Sequence, residues 1–227
     1  MSGPLGSSQW MYASGGYELE QSLRFNDDDT SYLSWTPASA GNQKTWTFSA
    51  WIKRSTLTGS GSSEQIFGTA RDGGEHVSIF FNTADRFCME FAGGTEGYRH
   101  TSAQYRDTSA WYHFMVATDT TLADRASRCK LYVNGELITD FELDTKPDQN
   151  LDTRFNRTIE HGLGRNPFTT TVFDGYMAEV HWVDGQQLTA ADFGETGTYG
   201  EWKPKEYSGT YGTNGFYLPF KQDYTVE

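Results

Sequence analysis

Several aromatic and polar side chains alternate with apolar ones along three strand-like stretches, so they face away from the expected core. The stretches cover residues 45–54, 111–118 and 173–182. Because successive side chains of a β-strand point to opposite faces, one face of each stretch should be buried while the other faces outward. The outward residues with chemical potential are Trp51, Trp111, His113, Glu179 and His181. If these strands share one sheet, they form a platform on which sugar rings could stack.

The same residues also suit a second interpretation, in which they pack under the ends of the chain or under a neighbouring subunit. For the glycan platform, the residues expected to line the rim are Tyr98, Arg99, His100 and Trp111. An outward tryptophan such as Trp51 serves equally well as an anchor in a protein interface. The sequence therefore predicts a glycan platform or an interface and leaves the choice open.

The stretch 173–182 is the element around which the rest of the chain is organised. Its predicted core-facing residues are Tyr176, Ala178, Val180 and Trp182. Asp-Gly pairs at 174–175 and 184–185 indicate turns, because glycine adopts the positive φ that tight turns require. Thr189, followed three residues later by Asp192, suits the first turn of a short helix.

The acid pair of a glycoside hydrolase is missing. Such chemistry needs two carboxyl groups that face one glycosidic bond. Glu179 is followed two residues later by His181 and preceded by Met177, and Asp174 is expected on the opposite face. His113 could join Glu179 and His181 around a metal by residue type, but nothing in the spacing makes them converge. The chain also has no nucleophilic triad, phosphate loop or zinc spacing, so we predict that it is not an enzyme.

An acidic turn separates two short strand-like runs, 22–25 and 32–35. Its carboxylates are Asp27, Asp28 and Asp29. Carboxylate oxygens are preferred ligands of calcium, which makes this turn the one metal site that the sequence suggests. Adjacent side chains in one turn cannot surround an ion alone, so we favour a solvated hairpin turn. No other cofactor is predicted.

Composition and charge exclude several kinds of partner. The 227 residues include 18 Lys and Arg against 30 Asp and Glu, a net charge of −12. This balance works against nucleic-acid binding, for which a basic surface supplies most of the affinity. No apolar run is long enough to span a bilayer, and the first residues lack the regions of a secretory signal. We expect a soluble chain that starts at Met1 and has neither a nucleic-acid nor a membrane partner.

The two cysteines, Cys88 and Cys129, each lie in a strand-like run, and their spacing matches no zinc or redox motif. We expect two buried free thiols rather than a disulfide. Free thiols fit synthesis in a reducing compartment.

The predicted fold class is all-β. Aromatic residues make up 15% of the chain, glycines number 24, and no long stretch has helical spacing. Asn134-Gly135 between two strand-like runs predicts a tight hairpin. Residues 140–157 are expected to form a long polar loop. The run 215–220 is expected to be an edge strand because it contains Pro219.

We divide the chain into an N-terminal arm (1–20), a sandwich (21–198) and a C-terminal tail (199–227) that includes the edge strand. The arm contains Gly, Ser and Pro without sustained periodicity. Such a segment is mobile unless something holds it, so we expect a partner chain to do so.

The order of the strand-like elements resembles that of a laminin-G or pentraxin-like jelly roll of the concanavalin A type. The elements that carry the resemblance are 22–25 with its acidic turn, 48–53, 111–116, 131–136 and 173–182. The match spans about 20–220 and implies two antiparallel sheets packed face to face. The opening, 21–54, with its link at 36–42, is also similar to bacteriophage virion-associated proteins that carry this fold.

The phage resemblance implies a non-enzymatic structural protein of the virion surface, made in the host cytoplasm. It would be a head decoration or a fibre or tail subunit that docks through its termini. Its partners would be other virion proteins and further copies of itself in a homo-oligomer. The alternative is a carbohydrate-binding module that attaches to a glycan of the host surface. A glycoside hydrolase is the third hypothesis, against which the missing acid pair argues.

Overall fold

The structure is a computed structural model that describes residues 17, 19–58, 62–73 and 75–221. Most of the predicted arm, 1–20, and the end of the predicted tail, 222–227, lie outside the described residues. Within the described part the fold is all-β, and no helix there is long and apolar enough to cross a membrane. The strands are β1 (Leu23–Phe25), β2 (Leu33–Trp35), β3 (Thr45–Arg54), β4 (Glu64–Thr69), β5 (Ser78–Phe81), β6 (Arg86–Phe91), β7 (Gly97–Gln104), β8 (Tyr112–Asp119), β9 (Cys129–Val133), β10 (Glu136–Leu137), β11 (Phe141–Thr145), β12 (His161–Leu163), β13 (Gly175–Asp184), β14 (Gly194–Thr196), β15 (Trp202–Pro204) and β16 (Phe216–Leu218). Short 3₁₀ helices form at Ala92–Gly94, Arg125–Ser127 and Ala190–Asp192.

Two antiparallel sheets pack face to face and confirm the predicted jelly-roll sandwich. Sheet A has the order β1, β13, β3, β8, β9, β10, and β16 pairs with β13 beside β1. Sheet B has the order β11, β7, β6, β5, β4, β12, β2. Strands β14 and β15 form a separate two-stranded hairpin.

The core lies between the inner faces of the two sheets and is dominated by aromatic rings. Strand β3 contributes the residues predicted for it, Trp46, Phe48, Ala50 and Ile52. Phe67 of β4 stacks on Phe48 with ring centroids 5.1 Å apart, which joins sheet B to sheet A. Strict alternation on β3 thus fixes which of its side chains face outward.

Local turn signals are confirmed where they were strongest. Asn134 and Gly135 both have positive φ, 48° and 85°, as a two-residue hairpin of type I′ requires. Gly135 is also needed for packing, since a Cβ there would lie 2.5 Å from the ring of Trp202. The helix Ala190–Asp192 begins with the predicted capping box between Thr189 and Asp192.

Two predictions about connections are wrong. The expected loop 140–157 contains strand β11, which pairs with β7 at the edge of sheet B. Most β11 side chains are exposed, so the strand carries little of the apolar alternation that reveals buried strands. Strands β1 and β2 do not form a hairpin, because β1 pairs with β13 in sheet A and β2 with β12 in sheet B. The acidic turn between them connects the two sheets.

Two further predictions are confirmed. Cys88 and Cys129 are free and buried. The last strand lies at the edge of sheet A, where Phe216–Leu218 pairs with β13 and Pro219 follows directly after it.

Candidate functional site

Strand β13 contains a β-bulge at Glu179. Its register against β3 shifts between Ala178 and His181, and Glu179 has a φ of 48°. A positive φ at a residue other than glycine costs about 1–3 kcal/mol and persists only where surrounding contacts hold it. Glu179 is therefore a strained position in the central strand pair of sheet A.

The bulge changes which side chains of β13 face outward. Beyond it, Val180 and Trp182 point into the core as predicted. Before it, Met177 belongs to the core, whereas Tyr176 is 36% exposed and Ala178 lies opposite the outward-facing Trp51. The prediction that Tyr176 and Ala178 face the core is wrong, because an inserted residue reverses the alternation.

The chain after β13 folds back over part of the outer face of sheet A. We name the part beneath it the covered region. Its apolar cluster comprises Met115, Ala117, Tyr132, Val183, Ala190 and Phe193, against which Leu188, Trp202, Tyr207 and Tyr211 pack. Trp51, His113, Glu179 and His181 are only 7%, 1%, 6% and 3% exposed. Their outward direction is confirmed, but most of the predicted platform is closed to a ligand by the chain itself.

Each ring nitrogen of His113 has one hydrogen-bond partner. Trp202 Nε1 donates to His113 Nδ1 at 3.1 Å, so Nε2 carries the proton and donates to Ser49 Oγ at 2.7 Å. The rings of Trp51 and Trp202 lie 5.3 Å and 6.1 Å from the imidazole. Burial, with a smaller effect from His181, lowers the pKa of His113 to about 3. The imidazole is neutral and structural.

Glu179 accepts hydrogen bonds from one tyrosine before β1 and from another in β16. Tyr17, which precedes β1, donates to Oε2, and Tyr217 of β16 donates to Oε1, each at 2.6 Å. The two hydroxyl oxygens lie 2.8 Å apart. Burial opposes ionisation of Glu179, but the nearby imidazole of His181 and the hydrogen bonds from Tyr17 and Tyr217 outweigh it and lower the pKa of the carboxyl. Burial and the bond to Glu179 raise the pKa of Tyr17 to about 12. An ionised carboxylate thus joins two protonated tyrosines.

His181 lies in an aromatic cluster above Glu179. Its ring stacks on Tyr217 at 4.6 Å, lies 4.9 Å from Phe193, and has Nδ1 2.9 Å from the hydroxyl of Tyr211. Burial lowers the pKa of His181. The carboxylate of Glu179, with Oε2 3.7 Å from Nε2, acts in the opposite direction but has the smaller effect. With its ring enclosed, His181 serves packing rather than proton transfer to a ligand.

A second part of the same outer face is left open by the described residues, and we name it the ledge. It is a row of residues on neighbouring strands, in which Arg24 lies opposite Tyr176 and Tyr176 opposite Lys53. Trp111 follows in the row, since Tyr112 lies opposite Ile52, one residue before Lys53. Strands lie about 4.8 Å apart, so the row extends about 14 Å from the first strand to the fourth.

The two aromatic rings of the ledge are accessible and adjacent. Trp111 and Tyr176 are each 36% exposed, and their ring centroids lie 6.5 Å apart at 61°. The guanidinium of Arg24 lies 5.3 Å from the Tyr176 centroid and 2.5 Å from Asp174 Oδ1. Sequence reasoning found Trp111 but missed Tyr176 and Arg24. The bulge hid Tyr176, and Arg24 lies in a strand too short to show which face is buried.

The predicted rim residues on β7 lie in sheet B and are not part of this face. Arg99 is ion-paired with Asp144 of β11, with Nε 2.8 Å from Oδ1, and also donates to the carbonyl of Cys129. His100 Nε2 lies 2.9 Å from Glu90 Oε1, and Tyr98 lies beside His100. Of the predicted rim, only Trp111 borders the platform. The error arose because adjacent strand signals do not reveal which sheet a strand joins.

The acidic turn gives no support to a calcium site. Asp27, Asp28 and Asp29 are exposed, and Asp29 Oδ2 accepts a hydrogen bond from Asn26 Nδ2 at 2.7 Å. Among the residues that the structure describes, no group of three or more His, Cys, Asp or Glu side chains could hold a metal ion. Calcium needs ligands from six or more directions, which this turn does not supply.

A polar cavity of about 370 Å³ opens beside the acidic turn, and its lining includes Asp27, Glu64 and Asp174. Its two buried carboxylates have arginine partners. Arg54 Nε lies 3.0 Å from Glu64 Oε2, and Arg24 pairs with Asp174. Burial, the largest effect, raises the pKa of Glu64. Carboxylates held in this way are structural ion pairs rather than a free acid and base facing a substrate.

The two packed sheets and the returning chain define an all-β jelly roll of the lectin-like type. Residues 27–192 match the laminin G-type family that is described as the concanavalin A-like lectin/glucanases superfamily. The chain belongs to this superfamily, which confirms the family resemblance seen in the order of its strands. No curated protein matches the chain.

The solved structures with a similar fold include an arabinanase domain, a sialidase and a carbohydrate-binding module. Domain 4 of AbnA, an extracellular arabinanase from Geobacillus stearothermophilus in complex with arabinotriose, has 18% identity and a TM-score of 0.50, covering 75% of this chain and 73% of that chain. Trypanosoma rangeli sialidase in complex with the inhibitor DANA has 14% identity and a TM-score of 0.52, covering 78% of this chain and 27% of that chain. A carbohydrate-binding module of the Ruminococcus gnavus IT-sialidase has 14% identity and a TM-score of 0.49, and the match covers 76% of this chain and 94% of that chain. At these identities the likeness shows the fold.

Proposed function

We propose that the protein is a non-enzymatic structural module of a bacteriophage surface, a head decoration or a fibre or tail subunit. The observation that carries the proposal is the anchoring of both flanking segments at one place. Tyr17 and Tyr217 share the carboxylate of Glu179, while β1 and β16 pair with successive segments of the same edge of β13. Segments held at one edge are placed to dock together on neighbouring virion proteins or on further copies of the chain. The similarity of 21–54 to phage virion proteins supports the same context.

The solution mass of the purified chain, measured by light scattering, tests this proposal. We expect an oligomer that dissociates when the residues before Glu20 are removed. Tyr17→Phe keeps the arm but removes its bond to Glu179, so it should weaken the oligomer less than removal of the whole arm does. A monomer whose mass does not depend on the arm would contradict the proposal.

The absence of catalysis is part of the proposal. In the described part of the chain, the buried carboxylates Glu64, Asp85 and Asp174 are each paired with an arginine, and Glu179 is bonded to tyrosines. The remaining buried carboxylate, Asp184, accepts hydrogen bonds from the backbone nitrogens of Asn42 and Asn214 and from Asn156 Nδ2. Hydrolysis needs one carboxylic acid and one carboxylate facing the same bond. Polysaccharides incubated with the protein should release no reducing ends. Release that is lost in Glu64→Gln or Asp174→Asn would contradict this.

A second candidate function is glycan binding, and the ledge is the observation that favours it. Two accessible aromatic rings with charged neighbours on an open sheet face are the means by which proteins stack and orient sugars. The arabinanase domain, which shares the fold, was solved with arabinotriose. Binding on a glycan array should disappear in Trp111→Ala and persist in Tyr199→Ala, since Tyr199 is 93% exposed and outside the ledge. Trp51→Ala is less informative, because Trp51 is buried.

A further inference from the structure

The ledge contains a positive charge that the described part of the protein does not neutralise. Lys53 lies between Tyr176 and Trp111 in the row and is half-buried. No hydrogen bond or ion pair to its ammonium is found among the described residues. Arg24 differs, because Asp174 Oδ1 lies 2.5 Å from its Nη2 and the carbonyl of Gly175 accepts from its Nη1 at 3.3 Å.

Lys53 has a weak electrostatic interaction with Asp107. Asp107 is exposed, and its pKa is lowered first by hydrogen bonds from Ser109 and only slightly by Lys53. Asp107 Oδ1 already accepts from the backbone nitrogen of Ser109 at 2.8 Å and from its hydroxyl at 2.6 Å. Lys53 therefore keeps its capacity for a charged partner, and a lysine ammonium offers three donors to such a partner.

From this arrangement we propose that the ledge binds an acidic oligosaccharide, with sugar rings stacked on Trp111 and Tyr176 and a sugar carboxylate on Lys53. The inference rests on the second candidate function, glycan binding, and adds the chemical class of the ligand. A carboxylate placed beside the two rings would give the Lys53 ammonium the charged partner that the described residues do not supply. The chain carries a net charge of −12, which on average repels an acidic glycan, so the Lys53 ammonium gives such a glycan a local reason to bind at the ledge.

The test uses an array of uronic-acid and sialic-acid oligosaccharides, each paired with its carboxyl-reduced counterpart. The members of a pair differ only in the charged group. We expect the acidic member to bind more tightly, by about fivefold for one partly exposed ion pair. Raising the salt from 50 mM to 500 mM should remove the difference, because exposed charges are screened.

Variants at Lys53 assign the preference to one side chain. Lys53→Gln should bind both members of a pair equally, Lys53→Arg should keep the preference, and Lys130→Gln on the same sheet should bind like the unmodified protein. Trp111→Ala should bind neither member. Equal binding of both members by the unmodified chain overturns this inference alone. Failure of every pair to bind overturns both glycan recognition and the inference, and a preference that survives Lys53→Gln assigns the carboxylate to another residue.

Discussion

The covered region and the ledge lie on the same outer face of sheet A, yet they differ in how their polar groups are satisfied. Under the returning chain, both nitrogens of His113 and both carboxylate oxygens of Glu179 have partners within the protein. On the ledge, Trp111 and Tyr176 are accessible and Lys53 has no ion-pair partner in the described part. Residue type is therefore a poor guide to function here. A distant segment decides which part of the face can meet a ligand.

Removing apolar contacts from the covered region should have the largest effect on stability. Phe193 is 2% exposed and packs against His181 and Tyr207 with ring centroids 4.9 Å away in each case. Phe193→Ala should lower the free energy of unfolding by about 3–5 kcal/mol, the usual cost of deleting a buried aromatic ring. Urea denaturation measures this change in the free energy of unfolding. Tyr199→Ala is the exposed control and should change it by about 0.5 kcal/mol or less. Equal effects of the two variants would mean that the returning chain does not seal this region.

Loss of the acceptor at Glu179 should have the next largest effect. Glu179→Gln removes the charge of the acceptor and replaces one carboxylate oxygen by an amide donor, so one of the two tyrosine hydroxyls can donate only to the other. Loss of a hydrogen bond to a charged group costs about 1.5–3 kcal/mol. A double-mutant cycle with Tyr217→Phe should be strongly non-additive, because both changes act on the same hydrogen bond. Additive losses in urea denaturation would show that Tyr217 and Glu179 act independently.

The covered region should also become less stable in acid, with His113 as a main cause. The pKa of His113 is about 3 in the folded chain, well below the ordinary value of 6.5. Below pH 6.5, His113 is therefore protonated in the unfolded chain but stays neutral in the folded chain. Stability from this residue is complete above pH 6.5 and falls by about 1.4 kcal/mol per pH unit towards pH 3. His161, whose pKa burial lowers to about 4, adds to the same trend. Urea denaturation between pH 4.5 and 7 should show a shallower slope in His113→Gln, and an unchanged slope would contradict the assignment.

The ledge should contribute least to stability. Trp111→Ala removes a ring that is 36% exposed, and we expect it to lower the free energy of unfolding by at most about 1 kcal/mol. The same variant should abolish glycan binding. If Trp111→Ala destabilised the fold as much as Phe193→Ala, the ledge would be a structural element like the covered region.

Much of the fold could be predicted because its strongest signals are local. Alternation on β3 and β8 and the Asn134-Gly135 turn each depend on neighbouring residues, and each is confirmed. The bulge at Glu179 could not be predicted, since one extra residue reverses the alternation without any glycine or proline to mark it. Strand β11 was missed because an exposed edge strand need not be apolar.

The candidate site was predicted in part. The outward direction of Trp51, His113, Glu179 and His181 follows from periodicity and is confirmed. Their burial could not be foreseen, because the covering chain around Trp202 has no periodic pattern that shows where it packs. The placement of Tyr98, Arg99 and His100 in sheet B depends on long-range strand pairing, which sequence spacing does not encode.

The adjacency of β1 and β16 on β13 has a consequence for chain topology. Since the first and last strands of the described fold meet at one sheet edge, a short linker could join them and new termini could be opened at the exposed turn near Tyr199. Domains whose ends lie close together commonly tolerate such circular permutation. The sandwich would keep every strand pairing while the order of strands along the chain changed. The same closeness would let the whole unit be inserted into a surface loop of another protein.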